Sequence, residues 1–130
     1  MTTILLVEDK LDNQLVIEDI FEFDDLGAEL VVVGDAEEAL RRLPDLRPAL
    51  ILMDIGLPGM SGLEATRRIR TDPTFADIPV WALTAHAMMS VREEALDAGC
   101  TEYVTKPINA PDLSKRLRGF IRDAESRRAA

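Results

Sequence analysis

The chain has 130 residues, of which 24 are acidic and 15 are Lys or Arg, and its formal net charge is −9. This length suits about one domain, and the strong acidity disfavours general binding to the phosphate backbone of nucleic acids. The single cysteine, Cys100, excludes an intrachain disulfide and favours a cytoplasmic location, and neither a signal pattern before Glu8 nor a membrane-length apolar stretch is present.

The charge is distributed unevenly along the chain. From Lys106 onward, seven Lys or Arg residues accompany three acidic residues, so this part carries +4 and the preceding part carries −13. Two interpretations stay open: a solvated last helix, or a docking surface for an acidic partner. We expect residues 1–125 to form one domain and residues 126–130 to be a disordered tail.

Short apolar runs alternate with longer amphipathic segments five times along the chain. The amphipathic segments have helical spacing, Asp35 and Ser61 are typical N-caps, and Pro44 is expected to end the second helix. In chain order we predict strand 4–7, helix 11–23, strand 30–33, helix 36–43, strand 50–53, helix 62–70, strand 80–83, helix 88–98, strand 101–105 and helix 112–124.

Five strand–helix repeats indicate a βα array with a parallel sheet. The connections between strands should be right-handed. A closed eight-stranded barrel needs a much longer chain. The sequence therefore predicts an α/β fold with a doubly wound open sheet.

Polar residues follow four of the five predicted strands. Glu8 and Asp9 follow the first strand, Asp54 the third, Thr84 the fourth and Lys106 the fifth. Because parallel strands end on one edge, where open α/β sheets place their sites, these side chains should meet in one crevice. Three carboxylates, a hydroxyl and an ammonium suit a divalent cation and a phosphoryl group.

The chemistry of this set favours magnesium. Glu8, Asp9 and Asp54 would repel one another, and a hard cation relieves that repulsion; Mg²⁺ is usually held by carboxylates, phosphate oxygens and water. Lys106 can bond a phosphoryl oxygen as a point charge, and the Thr84 hydroxyl can donate to another.

A purely structural interpretation of each residue also stays open. Glu8 and Asp9 could cap the first helix and favour its N-terminus. Lys106 could form only a salt bridge with Asp54, and Thr84 could bond its own backbone at the strand end.

Four motifs surround these residues. They are Leu-Leu-Val-Glu-Asp ending at Asp9, Leu-Met-Asp-Ile-Gly-Leu-Pro-Gly-Met-Ser-Gly around Asp54, Ala-Leu-Thr-Ala around Thr84, and Tyr-Val-Thr-Lys-Pro with Tyr103 and Lys106. Over residues 3–124 this pattern resembles the receiver domains of two-component response regulators. The spacings, 30 residues from Asp54 to Thr84 and 22 more to Lys106, are also similar to those of the family.

The resemblance implies a flavodoxin-like fold with strand order 2-1-3-4-5 and helices on both faces. It implies that Asp54 accepts a phosphoryl group from a histidine kinase or a histidine phosphotransfer protein. Mg²⁺ would be held by Asp9, Asp54 and the backbone carbonyl of Gly56, with Glu8 helping directly or through water. Lys106 would neutralise a phosphoryl oxygen, and the peptide bond before Pro107 would be cis.

The resemblance also implies a switch. Thr84 would move to bond the phosphoryl group and Tyr103 would swing inward, so that the surface of the fourth helix, fifth strand and fifth helix changes for a downstream protein partner. Tyr103 could instead be an ordinary half-buried strand aromatic.

The chain would then be a phosphoacceptor that promotes its own phosphorylation and dephosphorylation rather than an enzyme acting on other substrates. We expect a monomer or a weak phosphorylation-dependent dimer that binds neither membrane nor nucleic acid. We also expect a stand-alone regulator; the alternative is a receiver domain of a larger response regulator or hybrid kinase.

Other function classes fit less well. Phosphatases of the haloacid dehalogenase type carry a second Asp two residues after the nucleophile, and Gly56 occupies that position here. A dinucleotide-binding enzyme is disfavoured because no G-x-G-x-x-G follows the first strand. A receiver-shaped protein that only binds partners would not need the complete set of acids, Thr84 and Lys106.

Three further residues receive simpler predictions. His86 could overhang the site and modulate the lifetime of the phosphoryl group, or be plainly exposed. Met88 and Met89 are expected to pack in the core.

Overall fold

A five-stranded parallel sheet runs through the middle of the computed structural model, which describes residues 2–85 and 88–129. The elements in chain order are β1 Thr2–Val7, α1 Leu11–Phe23, β2 Ala28–Val33, α2 Ala36–Leu46, β3 Leu50–Asp54, α3 Gly62–Thr71, β4 Val80–Thr84, α4 Met89–Ala98, β5 Glu102–Thr105 and α5 Ala110–Ala129. The strand order is β2-β1-β3-β4-β5, as the family resemblance implies.

The sheet carries a separate hydrophobic core on each face. Alternate strand residues such as Leu6 and Leu52 pack against α1 and α5, whereas Leu5 and Met53 pack against α2, α3 and α4. Every residue of β3 is buried, as expected for a central parallel strand covered on both faces. This burial makes the ends of the strands the places where polar side chains can gather.

The predicted helix caps are present. The Asp35 carboxylate accepts the N–H of Glu38 at 2.7 Å, and the Ser61 hydroxyl accepts the N–H of Glu64 at 3.2 Å. Gly99 closes α4 in the left-handed conformation (φ 108°), which glycine adopts at little cost. These caps fix where α2, α3 and α4 meet the loops.

Two helices, α2 and α5, are longer than predicted by more than one residue. The helix α2 continues past Pro44 to Leu46. The proline lacks an N–H and so removes only one backbone hydrogen bond near the helix end. The Arg47 N–H still donates to the Leu43 carbonyl at 2.9 Å. The last helix, α5, starts early because the Asn109 side chain accepts the N–H of Asp112 at 3.0 Å. It continues through the expected tail at 126–130 as far as Ala129.

The prediction for the two methionines is wrong. Met88 and Met89 are each 65 % exposed, because they lie at the start of α4 above the sheet edge rather than over the sheet. His86, for which the sequence allows two roles, lies outside the described residues. None of the helices in the described ranges is both long and apolar enough to cross a membrane.

Candidate functional site

The carboxyl edge of the sheet brings together the residues that follow the strands. Val7 of β1 is paired with Met53 of β3, and Asp54 is paired with Leu83 of β4. Glu8, Asp54 and Thr84 therefore lie side by side on neighbouring strands, as the sequence predicts.

A small cavity of about 160 Å³ opens at this edge. Asp54, Thr84 and Lys106 line it, together with Gly56 on the rim. Asp54 is 5 % exposed and Thr84 is 2 % exposed. A reacting group would therefore meet the Asp54 carboxylate in a largely desolvated setting.

Lys106 holds the two buried acids together. Its Nζ lies 2.8 Å from Glu8 Oε1 and 3.1 Å from Asp54 Oδ2. Its backbone N–H donates to the Thr84 carbonyl at 2.7 Å, and the peptide bond from Lys106 to Pro107 is cis, as implied by the resemblance. The salt bridge that stayed open as an alternative is thus present, and it includes Glu8 as well as Asp54.

The environment shifts the pKa of two groups in this cluster. Burial raises the pKa of the fully buried Glu8, and the bonds from Lys106 and from the Lys10 N–H offset this only in part. Burial alone would lower the pKa of Lys106, but its bond to Glu8 and the charge of Asp54 outweigh that effect and raise it. The Lys106 ammonium therefore stays charged at neutral pH.

The three carboxylates fit a hard divalent cation. Glu8, Asp9 and Asp54 each offer one oxygen, and these oxygens lie within 4.8 Å of one another. Asp9 is exposed, so this side of the cluster can exchange water. Oxygen ligands with open water positions are those that Mg²⁺ takes in proteins.

The N-cap interpretation of the acidic pair fits less well. Lys10 occupies the N-cap position of α1, and α1 has no side-chain cap. Glu8 does accept the Lys10 N–H at 3.1 Å, but its other oxygen is directed to Lys106. The acidic pair is therefore arranged around the site rather than along the helix.

The loop after Asp54 is packed tightly against the site. The Gly56 N–H donates to Asp54 Oδ1 at 2.9 Å and so orients the carboxylate. A Cβ at Gly62 would lie 2.2 Å from the Asp54 carbonyl oxygen, so only glycine lets α3 start this close to β3. The Met60 N–H donates to the Glu37 carboxylate at 3.2 Å, which ties the loop to α2.

Tyr103 does not reach the site cavity in this structure. It is half-buried on β5 and lines a separate groove of about 380 Å³ between α4, β5 and α5. The guanidinium carbon of Arg92 lies 5.3 Å from the centre of the Tyr103 ring, within cation–π distance.

Three residues of the site were missed in the sequence. Lys10 and Asn13 line the cavity, and the Gln14 side chain donates to the Glu8 carbonyl at 2.7 Å. All three lie within the five residues after the acidic pair, so the start of α1 was the signal that could have identified them.

The response regulator receiver domain family model matches residues 4–118. The chain is 37% identical over 122 residues to the polar-differentiation response regulator DivK of Brucella anthropi, covering 94% of this chain and 98% of that protein.

Solved structures agree with this match. The receiver domain of the sensor histidine kinase PA1611 of Pseudomonas aeruginosa, which has a magnesium ion coordinated in its active-site cleft, is 39% identical with a TM-score of 0.81, covering 92% of this chain and 97% of that one. The chemotaxis protein CheY4 of Vibrio cholerae is 26% identical with a TM-score of 0.83, covering 92% and 98%.

Proposed function

This chain belongs to the response regulator receiver domain family, and we propose that Asp54 is the residue on which it accepts a phosphoryl group. As a member of that family, the chain is a phosphoaccepting module of two-component signalling. The observation that carries the assignment to Asp54 is its position: a buried carboxylate in the site cavity, oriented by the Gly56 N–H and paired with Lys106.

The proposed reaction transfers a phosphoryl group from a phosphohistidine of a kinase or phosphotransfer protein. A carboxylate oxygen of Asp54 attacks phosphorus while the phosphorus–nitrogen bond breaks, and the imidazole leaves and takes a proton from solvent. Phosphoryl transfer depends mainly on in-line positioning and on neutralisation of charge. Lys106 would neutralise one phosphoryl oxygen, and its distance of 3.1 Å from Asp54 Oδ2 supports this role.

We assign the acidic cluster to Mg²⁺. Asp9 and Asp54 would hold the ion together with the backbone carbonyl of Gly56, and Glu8 would support it directly or through water. When bound, the ion supplies positive charge to the phosphoryl oxygens in the transition state. The spacing of the three carboxylates supports this assignment.

The same residues would let the chain promote its own phosphorylation from small phosphodonors and its own dephosphorylation. Asp54, Lys106 and the metal ligands provide the charges for both directions of phosphoryl transfer. Water can enter past Gly56, which has no side chain on the rim of the cavity.

The single cysteine is compatible with action in the reducing cytoplasm.

We also propose that phosphorylation is transmitted through Thr84 and Tyr103. The Thr84 hydroxyl, on the wall of the cavity, would bond the new phosphoryl oxygens, and Tyr103 would move inward from the α4–β5–α5 groove. This change alters the surface that a downstream protein would bind. The protein would shift between two packing arrangements of Thr84 and Tyr103, and the bond from Thr84 to the phosphoryl group would favour one of them.

Phosphorylation by acetyl phosphate with Mg²⁺ tests the assignment of Asp54. The protein should gain one phosphoryl group by intact-mass measurement, and Asp54→Asn should abolish the gain because the amide is not a nucleophile for this transfer. Asp45→Asn, an exposed Asp at the end of α2, is the matched control and should react like the unchanged protein. An adduct that survives Asp54→Asn would overturn the assignment.

A further inference from the structure

The two edge strands of the sheet are protected to different degrees. β5, at one edge, has four residues and is followed at once by Lys106 and Pro107. The Arg116 side chain also donates to the Tyr103 carbonyl of β5 at 3.3 Å. Short length, lysine, proline and covering side chains are the usual means by which an edge strand is kept from pairing. β2, at the other edge, has six residues and contains neither lysine nor proline.

The backbone of β2 is open on its outer side. Among the described residues, β2 pairs with β1 alone, in register from Ala28 to Val33. The Val33 carbonyl accepts the Glu8 N–H at 3.1 Å, and successive residues of a strand direct their backbone polar groups to opposite sides. The N–H and C=O groups of Leu30 and Val32 therefore point away from the sheet, toward the position of an additional strand.

A groove of about 340 Å³ runs beside this edge, between β2 and α1. The residues that line it, here called the β2 groove, are Glu18, Phe21, Glu22, Ala28, Leu30 and Val32. The three strand residues are alternate positions of β2, so they present apolar side chains on one face of the sheet. The two glutamates are exposed on α1. The groove thus has an apolar floor and an acidic rim.

The same face of α1 continues beyond the groove with two exposed leucines. Leu11, Leu15, Glu18 and Glu22 follow one another at steps of three or four residues, which places them on one face of the helix. Leu11 is 63 % exposed and Leu15 is 48 % exposed. Because α1 runs back along the sheet from its carboxyl edge, the leucines lie nearer to that edge and the glutamates nearer to the start of β2.

The negative charge around the groove is not compensated within the chain. Residues 11–40 include ten acidic residues and no Lys, Arg or His. In the described ranges, none of these acids forms an ion pair. Arg118 contacts this stretch only at the Asp24 backbone carbonyl, at 2.7 Å. Lys10, just before the stretch, lines the phosphoryl site, and the two arginines of α2 follow it on the helix that covers the opposite face of the sheet. A basic partner is therefore complementary to this surface.

We propose that the β2 groove binds an extended basic segment of a partner protein, which pairs with β2 as an additional edge strand. Backbone bonds to Leu30 and Val32 would supply affinity, and the alternate side chains that face α1 would supply specificity. Two residues of a strand span about 6.6–6.8 Å, and four residues of a helix span about 6 Å. Successive alternate side chains of the segment would therefore meet Glu22, Glu18 and Leu15 in turn. The segment carries Lys or Arg at two alternate positions and apolar residues at the next two.

This surface is separate from the phosphoryl site, because no residue of the β2 groove lines the site cavity. A synthetic peptide tests the proposal: Val-Thr-Val-Thr-Lys-Thr-Lys, written for antiparallel addition to β2 and carrying a fluorescent label. The full chain is titrated into it at low ionic strength while fluorescence anisotropy is followed. The peptide should bind, and a peptide with Glu in place of both Lys should bind about 10-fold more weakly or less. No binding of the lysine peptide, or equal binding of the two peptides, overturns the proposal.

Charge removal on α1 tests the place of binding. The double variant Glu18→Gln, Glu22→Gln should bind the lysine peptide about 10-fold more weakly. The double variant Asp12→Asn, Asp19→Asn makes the same charge change at exposed positions on another face of α1 and should bind almost as well as the unchanged protein. An equal loss in the two double variants would show attraction by overall acidity and would contradict the groove.

Proline tests the pairing of strands. Leu30→Pro removes an outward N–H and leaves the bonds to β1 in place, as prolines on edge strands do; Leu30→Ala loses the same side chain but keeps the N–H. The proline variant should lose the peptide and the alanine variant should keep it, both shown to be folded by circular dichroism. Equal binding by the two overturns strand addition.

Two measurements on the unchanged protein complete the test. Amide exchange followed by NMR does not depend on the folding of a variant: the Leu30 and Val32 N–H groups should exchange more slowly when the peptide is bound, and unchanged rates would overturn strand addition. Sedimentation velocity of the chain alone should show no association through this edge. A dimer that Leu30→Pro removes would assign the edge to a second copy of the chain and overturn the proposed partner.

Discussion

Two cations bridge loops at opposite edges of the same sheet. Lys106, at the carboxyl edge, contacts the carboxylates of Glu8 and Asp54. Arg70, at the amino edge, donates to three neutral carbonyls: Nε to Gly99 at 2.9 Å, and one terminal nitrogen to Ala76 at 3.0 Å and Ile78 at 2.7 Å.

The difference between these two clusters is one of charge. Around Arg70 the partners are neutral, so no repulsion needs relief and the bonds only join α3 to the loops before β4 and β5. Near Lys106 lie three carboxylates, of which Glu8 and Asp54 contact its ammonium, so negative charge remains in excess. A cation, or a phosphoryl group with its metal, can bind where negative charge is in excess, whereas the bonds from Arg70 to neutral carbonyls only hold the scaffold together.

After the replacement of Asp54 itself, replacing Lys106 should have the largest effect on function. Lys106→Met removes the cation nearest to the phosphoryl position, and the rate of phosphorylation by acetyl phosphate should fall about 100-fold or more. The rate is measured by intact mass over time, on protein shown to be folded by circular dichroism. Lys115→Met, an exposed lysine on α5, is the control. A rate within a few-fold of the unchanged protein would mean that Lys106 serves only the scaffold.

Replacing Arg70 should lower the stability of the fold and leave the rate of phosphorylation almost unchanged. Arg70→Met breaks three hydrogen bonds and should lower the free energy of unfolding by about 2–3 kcal/mol, while the folded variant is phosphorylated at nearly the normal rate. Arg67→Met, which removes an exposed ion pair of 3.8 Å on the same helix, should cost less than about 1 kcal/mol. Urea unfolding and the acetyl phosphate assay measure the two effects. Equal stability of the Arg70 and Arg67 variants would contradict the structural role.

A smaller effect is expected when the excess negative charge is reduced. Asp9→Asn removes one proposed ligand, and the affinity for Mg²⁺ should fall about 10-fold, or 1.4 kcal/mol. The rise in melting temperature on adding Mg²⁺ reports this binding, because a ligand that binds the folded state stabilises it. Asp12→Asn makes the same charge change on an exposed residue of α1 and should keep the full response. Identical responses in both variants would refute the role of Asp9.

The sequence predicted the carboxyl edge better than the amino edge, for a physical reason. Apolar runs show where strands end, and Glu8, Asp54 and Thr84 follow those runs directly. Arg70 has no such pattern: its partners are backbone carbonyls of three positions that only the tertiary fold brings together.

Contacts that form only in the folded chain also explain why some predicted helix ends were misplaced. Pro44 is tolerated because a single hydrogen bond is lost near the end of α2, which spacing alone does not show. The exposure of Met88 and Met89 depends on where α4 begins relative to the sheet, a tertiary property. The cap at Asn109, by contrast, has a local signal, an Asn three residues before an acid, that was open to sequence reasoning.

The chemical identity of the phosphorylated residue tests the central claim most directly. After reaction with acetyl phosphate and Mg²⁺, borohydride reduces an aspartyl phosphate to homoserine, and peptide mass mapping locates the converted position. We predict conversion at position 54 alone, because only that carboxylate is both oriented into the cavity and paired with Lys106. Conversion at Glu8 or Asp9, or a phosphorylated protein with Asp54 unconverted, would contradict the account.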